Sequence, residues 1–264
     1  MATHHVLLIG GHGKIAQLLT PLLLRRSWDV TSIIRKQEQV AAVQKLGDIK
    51  ESNAGKLNVL VHSVEDIKEE SEAKAILDEV TPDYVVWSAG AGGKGGAART
   101  YAVDRDAAIC FIRASAATPS IKRFLLVSYL TSRANKPSWW PDSAWDAAVE
   151  MNKTVFINYY KAKIAADKEL YRVSKERGPE FVGIDLRPGA LTDEPAGPVE
   201  LGKTKRGTGP VSRESVARVA DLLLAKEGVK NCWIDLVNGE EDADKAVDRV
   251  VAEDVNAAEG EPWY

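Results

Sequence analysis

Glycines at fixed spacing are the first residues in this chain that imply chemistry. Gly10, Gly13 and Ala16 form the pattern G-x-x-G-x-x-A directly after the apolar run Val6-Leu7-Leu8-Ile9. The order is strand, tight turn, helix N-terminus, a variant of the dinucleotide-binding fingerprint. Gly10 ends the strand in a turn that tolerates positive φ. Gly13 lets the backbone approach a phosphate, and Ala16 lets the helix pack on the strand. The helix start offers unpaired N–H groups and a positive dipole end to a pyrophosphate. Gly11, His12, Lys14 and Ile15 complete the turn. His12 or Lys14 can touch the phosphates; Lys14 reads equally well as a solvated first-turn residue.

Two further stretches carry chemistry. Arg35-Lys36 follows an expected second strand at 29–34. In NAD-binding folds an acid at this place accepts hydrogen bonds from the ribose hydroxyls. Here two cations replace it, and the planar fork of an arginine suits a 2′-phosphate. The expected cofactor is therefore NADP(H); the competing reading is a solvated basic strand end. Ser88, Ala89 and Gly90 open a glycine-rich run to Gly96, directly after an expected strand at 84–87. Glycines at a strand's carboxyl end admit a ligand closely, and open parallel sheets bind ligands at that edge. A plain surface loop is the alternative.

Elements that position these residues alternate along the whole chain. Helices are expected at 13–26, 37–46, 69–79, 103–117, 159–175, 212–226 and 243–253. Strands are expected at 29–34, 58–61, 84–87, 123–128, 181–186 and 232–237, besides the first apolar run. Pro21 should kink or break the first helix. This alternation calls for an α/β fold: one doubly wound parallel sheet covered on both faces, with a small C-terminal substrate-side region. Residues 1–264 read as a single domain, with 129–158 and 190–210 as substrate-side loops. Trp139, Trp140 and Trp145 lie in the first of these and must cover something, either a substrate or the protein itself.

Composition narrows the classes. With 264 residues and 45% hydrophobic content, the chain suits one large α/β domain. A net charge of −3 gives no polyanion-binding surface, so no nucleic-acid partner is expected. Cys110 and Cys232 lie in apolar contexts and read as buried thiols of a reducing compartment. No signal peptide and no membrane-length apolar run is visible, so a cytoplasmic location is expected. His4, His5 and His62 show no ligand spacing, and no metal is assigned.

The glycine turn, Ser128 at the end of a middle strand, Tyr159-x-x-x-Lys163 and Arg187-Pro188-Gly189 occur in the order of an atypical short-chain dehydrogenase/reductase. The chain resembles that family over nearly its whole length. The run Val86-Trp87-Ser88-Ala89-Gly90-Ala91-Gly92-Gly93-Lys94-Gly95 is similar to that of fungal NAD(P)-binding proteins in the same branch. The resemblance implies that Tyr159 is the general acid/base and that Ser128 bonds the same substrate oxygen. Lys163 shares a helix face with Tyr159, would sit below the cofactor ribose and would lower the tyrosine's pKa from about 10. Asp104 stands where the family usually has Asn, and an ionised Asp cannot donate a hydrogen bond. Ser63 and the Val64 amide would hold the adenine, and Pro188 and Gly189 would line the nicotinamide side.

Three functions follow from the resemblance. The first is an NADP(H)-dependent oxidoreductase acting on a small carbonyl or alcohol. The second is a non-catalytic redox-sensing regulator of the NmrA-like kind, and the third an NAD(P)-dependent epimerase or dehydratase. A small molecule is the expected partner, and the branch implies a monomer or weak homodimer.

Overall fold

The structure, a computed structural model, describes residues 4–93 and 95–264. In the first half, β1 (His5–Ile9), α1 (Lys14–Arg25) and β2 (Asp29–Ile34) are followed by a short α2 (Val40–Gln44). Then come β3 (Leu57–Val61), α3 (Glu70–Val80) and β4 (Tyr84–Trp87). A long helical stretch follows as α4 (Gly96–Tyr101), a π-helical turn (Ala102–Ala107) and α5 (Ala108–Ala117). The second half holds β5 (Arg123–Val127), α6 (Asp142–Lys153), α7 (Ile157–Arg177), β6 (Val182–Pro188) and β7 (Ala190–Thr192). It ends with β8 (Val199–Gly202), β9 (Pro210–Ser212), α8 (Arg213–Ala225), β10 (Cys232–Asn238) and α9 (Ala243–Ala252).

The main sheet has eight strands in the order β3-β2-β1-β4-β5-β6-β10-β8. Every neighbouring pair is parallel except β10 with β8. Strand order reverses between β1 and β4, and the crevice at such a switch point is where open α/β sheets bind ligands. β1 shows why the sheet is covered twice. Val6 and Leu8 pack with α1, α8 and α9, while Leu7 and Ile9 pack with α3, α5 and α7. Side chains alternate across a strand, so a continuous apolar run fills both faces.

Helix starts follow ordinary capping chemistry. Ser212 accepts from Ser215 N at 3.0 Å, and Asp242 accepts from Asp244 N at 3.0 Å. The carboxylate of Glu72 accepts from the amides of Lys68 and Glu69 at the head of α3.

Several expectations are corrected. α1 runs on across Pro21. Helix begins at Gly96 rather than at residue 103, and the π-helical turn sits at Asp104. Within 129–158, expected to be loop, α6 spans Asp142–Lys153. It buries little, chiefly Ala148 and Asn152, so its sequence carries a weak helical stripe. The region 190–210 contains β7 and β8. β8 pairs antiparallel with β10, and β7 pairs with β9 in a separate two-stranded sheet. No helix among the described residues is long and apolar enough to cross a membrane.

Candidate active site

The glycine turn is built by close backbone contacts. Gly10 has φ +89°, and a Cβ there would stand 2.7 Å from Ala89 Cα. The ends of β1 and β4 therefore touch, and only glycine fits between them. Gly10 N and Gly11 N both donate to Ile33 O, at 3.1 and 2.8 Å. Gly13 is the N-cap of α1, and no described side chain caps this helix or places an acid in its first turn. Its leading N–H groups are left for a ligand.

Two adjoining cavities open along this edge. The larger, of about 760 Å³, is lined by Gly13, Lys14 and Ile15, by Ser88, Ala89 and Gly90, and by Asp104, Ser128, Tyr159 and Lys163. The smaller, of about 240 Å³, is lined by Gly10, His12, Gly13, Arg35, Val64 and again Ser88 to Gly90. Most of the residues picked from sequence thus share one continuous cleft. Val155, Phe156 and Leu191 add an apolar lip to the larger part.

Three polar groups in the larger cavity are held in place. Ser128 is buried and donates from Oγ to Asp167 Oδ2 at 2.9 Å. Lys163 is buried, and its ammonium donates to Val127 O at 2.8 Å. Asp104 Oδ2 accepts from Ala91 N at 3.0 Å, which fixes the glycine-rich loop after β4. Burial raises the Asp104 pKa above the ordinary carboxylate range, with Lys163 pulling the other way. The Tyr159 hydroxyl is pushed up, first by burial and then by the carboxylates of Asp104 and Asp167. The expected lowering by Lys163 is not among the influences on Tyr159, and the Lys163 side chain is engaged by the Val127 carbonyl instead. The neighbouring Tyr160 donates to Arg133 O at 3.0 Å and serves packing.

Five selected residues line neither cavity. A Cβ on Gly11 would collide with Ser32, so its side faces β2. The Lys36 ammonium pairs with Glu38 at 3.1 Å. Ser63 precedes the turn Val64–Asp66, and His62 and Glu65 line the cavity in its place. Pro188 O accepts from Leu130 N, and Gly189 N donates to Leu236 O, each at 2.9 Å. Both groups belong to the strand network at the carboxyl end of β6.

Of the two roles open to the tryptophans, the structure shows the packing one. Trp140 is buried against Gly207, and its indole N–H donates to Thr204 O at 3.0 Å. Trp139, Trp140 and Trp145 pack with Leu130 and Val237, away from the cleft.

Sequence reasoning missed what stands behind Ser128. Asp167 Oδ2 also accepts from Ser132 Oγ at 2.6 Å and from Arg187 at 3.1 Å. Arg187 pairs with Asp185 at 2.9 Å and lies 3.3 Å from Asp235, which binds Arg133 at 2.6 Å. One signal was available. Asp185 and Asp235 interrupt otherwise apolar strands, and Asp167 follows Lys163 by four residues.

A model of the family described as NAD(P)H-binding matches residues 10–227. A UPF0659 protein of Schizosaccharomyces pombe is 32% identical over 244 residues, covering 90% of this chain and 91% of its own length. YhfK of Bacillus subtilis, an uncharacterized sugar epimerase, is 30% identical over 240 residues, covering 89% and 94%. Among solved structures, the anaerobillin reductase ChuY of Escherichia coli O157:H7 superposes with a TM-score of 0.65 at 21% identity, covering 90% of this chain and 98% of that one.

Proposed function

Because this chain belongs to the NAD(P)H-binding family, we propose that it is an NADP(H)-dependent oxidoreductase of the short-chain dehydrogenase/reductase type, acting on a small carbonyl or alcohol. One observation carries the reading. The uncapped start of α1 and the side chain of Tyr159 line the same cavity.

The residues present fit a dinucleotide. The close approach of Gly10 to Ala89 leaves backbone where side chains would block a phosphate. Lys14 and the first N–H groups of α1 would hold the pyrophosphate. Arg35 would take the 2′-phosphate. Bound there, the cofactor supplies a hydride equivalent to the substrate carbon, or accepts one from it.

The chain's own groups manage the proton. Tyr159 transfers its proton to the substrate oxygen as a general acid in the reductive direction, and the phenolate left behind takes a proton back from solvent before the next turnover. Ser128 has committed its hydrogen to Asp167, so it presents only lone pairs to the cleft. It accepts a hydrogen bond from the alcohol that reduction forms. Lys163 holds the end of β5 against α7 through Val127 O. The apolar lip of Val155, Phe156 and Leu191 favours a substrate with an apolar flank.

The test is NADPH consumption with a panel of ketones, aldehydes and quinones. Tyr159→Phe is expected to lower turnover about 10²- to 10⁴-fold while NADPH affinity stays within about twofold. Equal turnover in the variant refutes the assignment. A second reading, an NAD(P)-dependent epimerase, is supported by the name of the Bacillus subtilis relative. It requires a cofactor that survives purification and is not consumed during turnover of a sugar substrate.

A further inference from the structure

Arg35 does not stand alone at the adenosine end of the cleft. Its Nη1 lies 2.9 Å from Glu65 Oε1, and Arg99 Nε lies 2.8 Å from the same oxygen. Two guanidiniums, one from the end of β2 and one from α4, thus converge on a single carboxylate oxygen. The convergence is built into the backbone. Arg99 also donates from Nη1 to Ala91 O at 2.9 Å. Gly95 has φ +83°, and a Cβ there would stand 2.6 Å from Arg99 Cδ, so glycine clears the path of the arginine stem. Arg35, Glu65 and Arg99 line the same cavity as Gly10 and Gly13.

We infer that Arg35 and Arg99 together form the clamp for the 2′-phosphate of NADP(H), and that Glu65 is the counter-ion they exchange for it. The inference rests on the NADP(H) reading above and adds two residues to it. A phosphate monoester offers three oxygens to two guanidinium forks, whereas here both forks share one carboxylate oxygen. The Glu65 side chain is 30% exposed and that of Arg35 43%. Partly solvated pairs of this kind exchange partners at little cost. Arg99, and then Arg35, hold the Glu65 carboxyl below its ordinary range, so it is an anion that competes with the phosphate. The opposite role for Glu65 is that of an acceptor for the ribose hydroxyls, as an acid serves in NAD-binding folds.

Calorimetric titration with 2′,5′-ADP and with 5′-AMP separates these, because the two probes differ only in the phosphate. The wild type is expected to bind 2′,5′-ADP at least about tenfold tighter. Arg99→Ala is expected to abolish most of that preference while leaving 5′-AMP within about twofold. Arg99→Lys should restore part of it, since the charge returns without the fork. Glu65→Gln is expected to tighten 2′,5′-ADP and leave 5′-AMP unchanged. A wild type with no preference overturns the NADP(H) reading itself. A wild-type preference that survives Arg99→Ala overturns the clamp alone. Equal weakening of both nucleotides by Arg99→Ala makes Arg99 a support for the Ala91 loop and overturns the clamp. Weaker 5′-AMP binding in Glu65→Gln makes Glu65 the ribose acceptor and overturns the exchange.

Discussion

Tyr159 holds a proton that its surroundings make hard to remove. Burial disfavours the phenolate, and Asp104 and Asp167 add like charge. The helical spacing of Tyr159 and Lys163 was legible in the sequence, but the destination of the ammonium was not. Nothing local says that Val127 O will take it. The consequence is a pH dependence of definite sign. A general acid acts while protonated, and raising its pKa extends that range upward. Carbonyl reduction should therefore stay flat through the region near pH 10 where an ordinary tyrosine ionises. The kcat profile of the wild type, set beside that of Tyr159→Phe, checks this. A falling limb centred near pH 7 that vanishes in the variant would mean that Tyr159 is acidified after all.

α7 is the element that joins the cleft to the interior. Tyr159, Lys163 and Asp167 recur every four residues, so one face carries all three. The first two line the cavity, and the third binds Ser128, Ser132 and Arg187 behind it. Arg187 is fully buried, and three carboxylates surround its guanidinium. Removing it leaves those carboxyl groups without their shared cation in a dry interior. Arg187→Met is expected to cost about 3–5 kcal/mol in urea unfolding, far more than a surface arginine. A loss below about 1 kcal/mol would show the network to be dispensable. Elements differ in how plainly the sequence announces them. β2 and β4 stand where their apolar runs place them, because strands buried on both faces leave little else to read. α6 was hidden because Pro141 and the tryptophans resemble loop punctuation, and its buried face is small.

At the scale of the molecule, the alternation of strand and helix made the parallel sheet and its ligand-binding edge legible, since a right-handed crossover leaves few other arrangements. Pairings across long sequence distances were not legible. Asp193 bridges Lys14 and Arg213, Glu65 joins Arg35 to Arg99, and Glu261 lies 3.7 Å from Arg133. Such pairs depend on where loops end in space, which no local pattern encodes. The buried charges among them shape how the whole fold responds to pH. Asp185 lies well above the ordinary carboxylate range, through burial first and the neighbouring Asp167 second, with Arg187 opposing. A carboxyl whose folded pKa exceeds its unfolded value stabilises the fold below the unfolded pKa, about 3.9 for Asp. That contribution is lost as pH rises through the folded value. Asp185→Asn keeps the shape of the protonated acid and removes this loss. Asp235 and Glu261, also raised by burial, share the Arg187 network with Asp185, so the comparison reads the proton uptake of the network as a whole. The difference in unfolding free energy, variant minus wild type, should therefore grow in favour of the variant from about pH 5 to pH 8. Urea titrations at intervals across that range measure it. A deficit of Asp185→Asn that deepens with pH would show instead that Arg187 needs Asp185 as an anion, and that the interior of this sheet is organised around a buried ion pair rather than a shared proton.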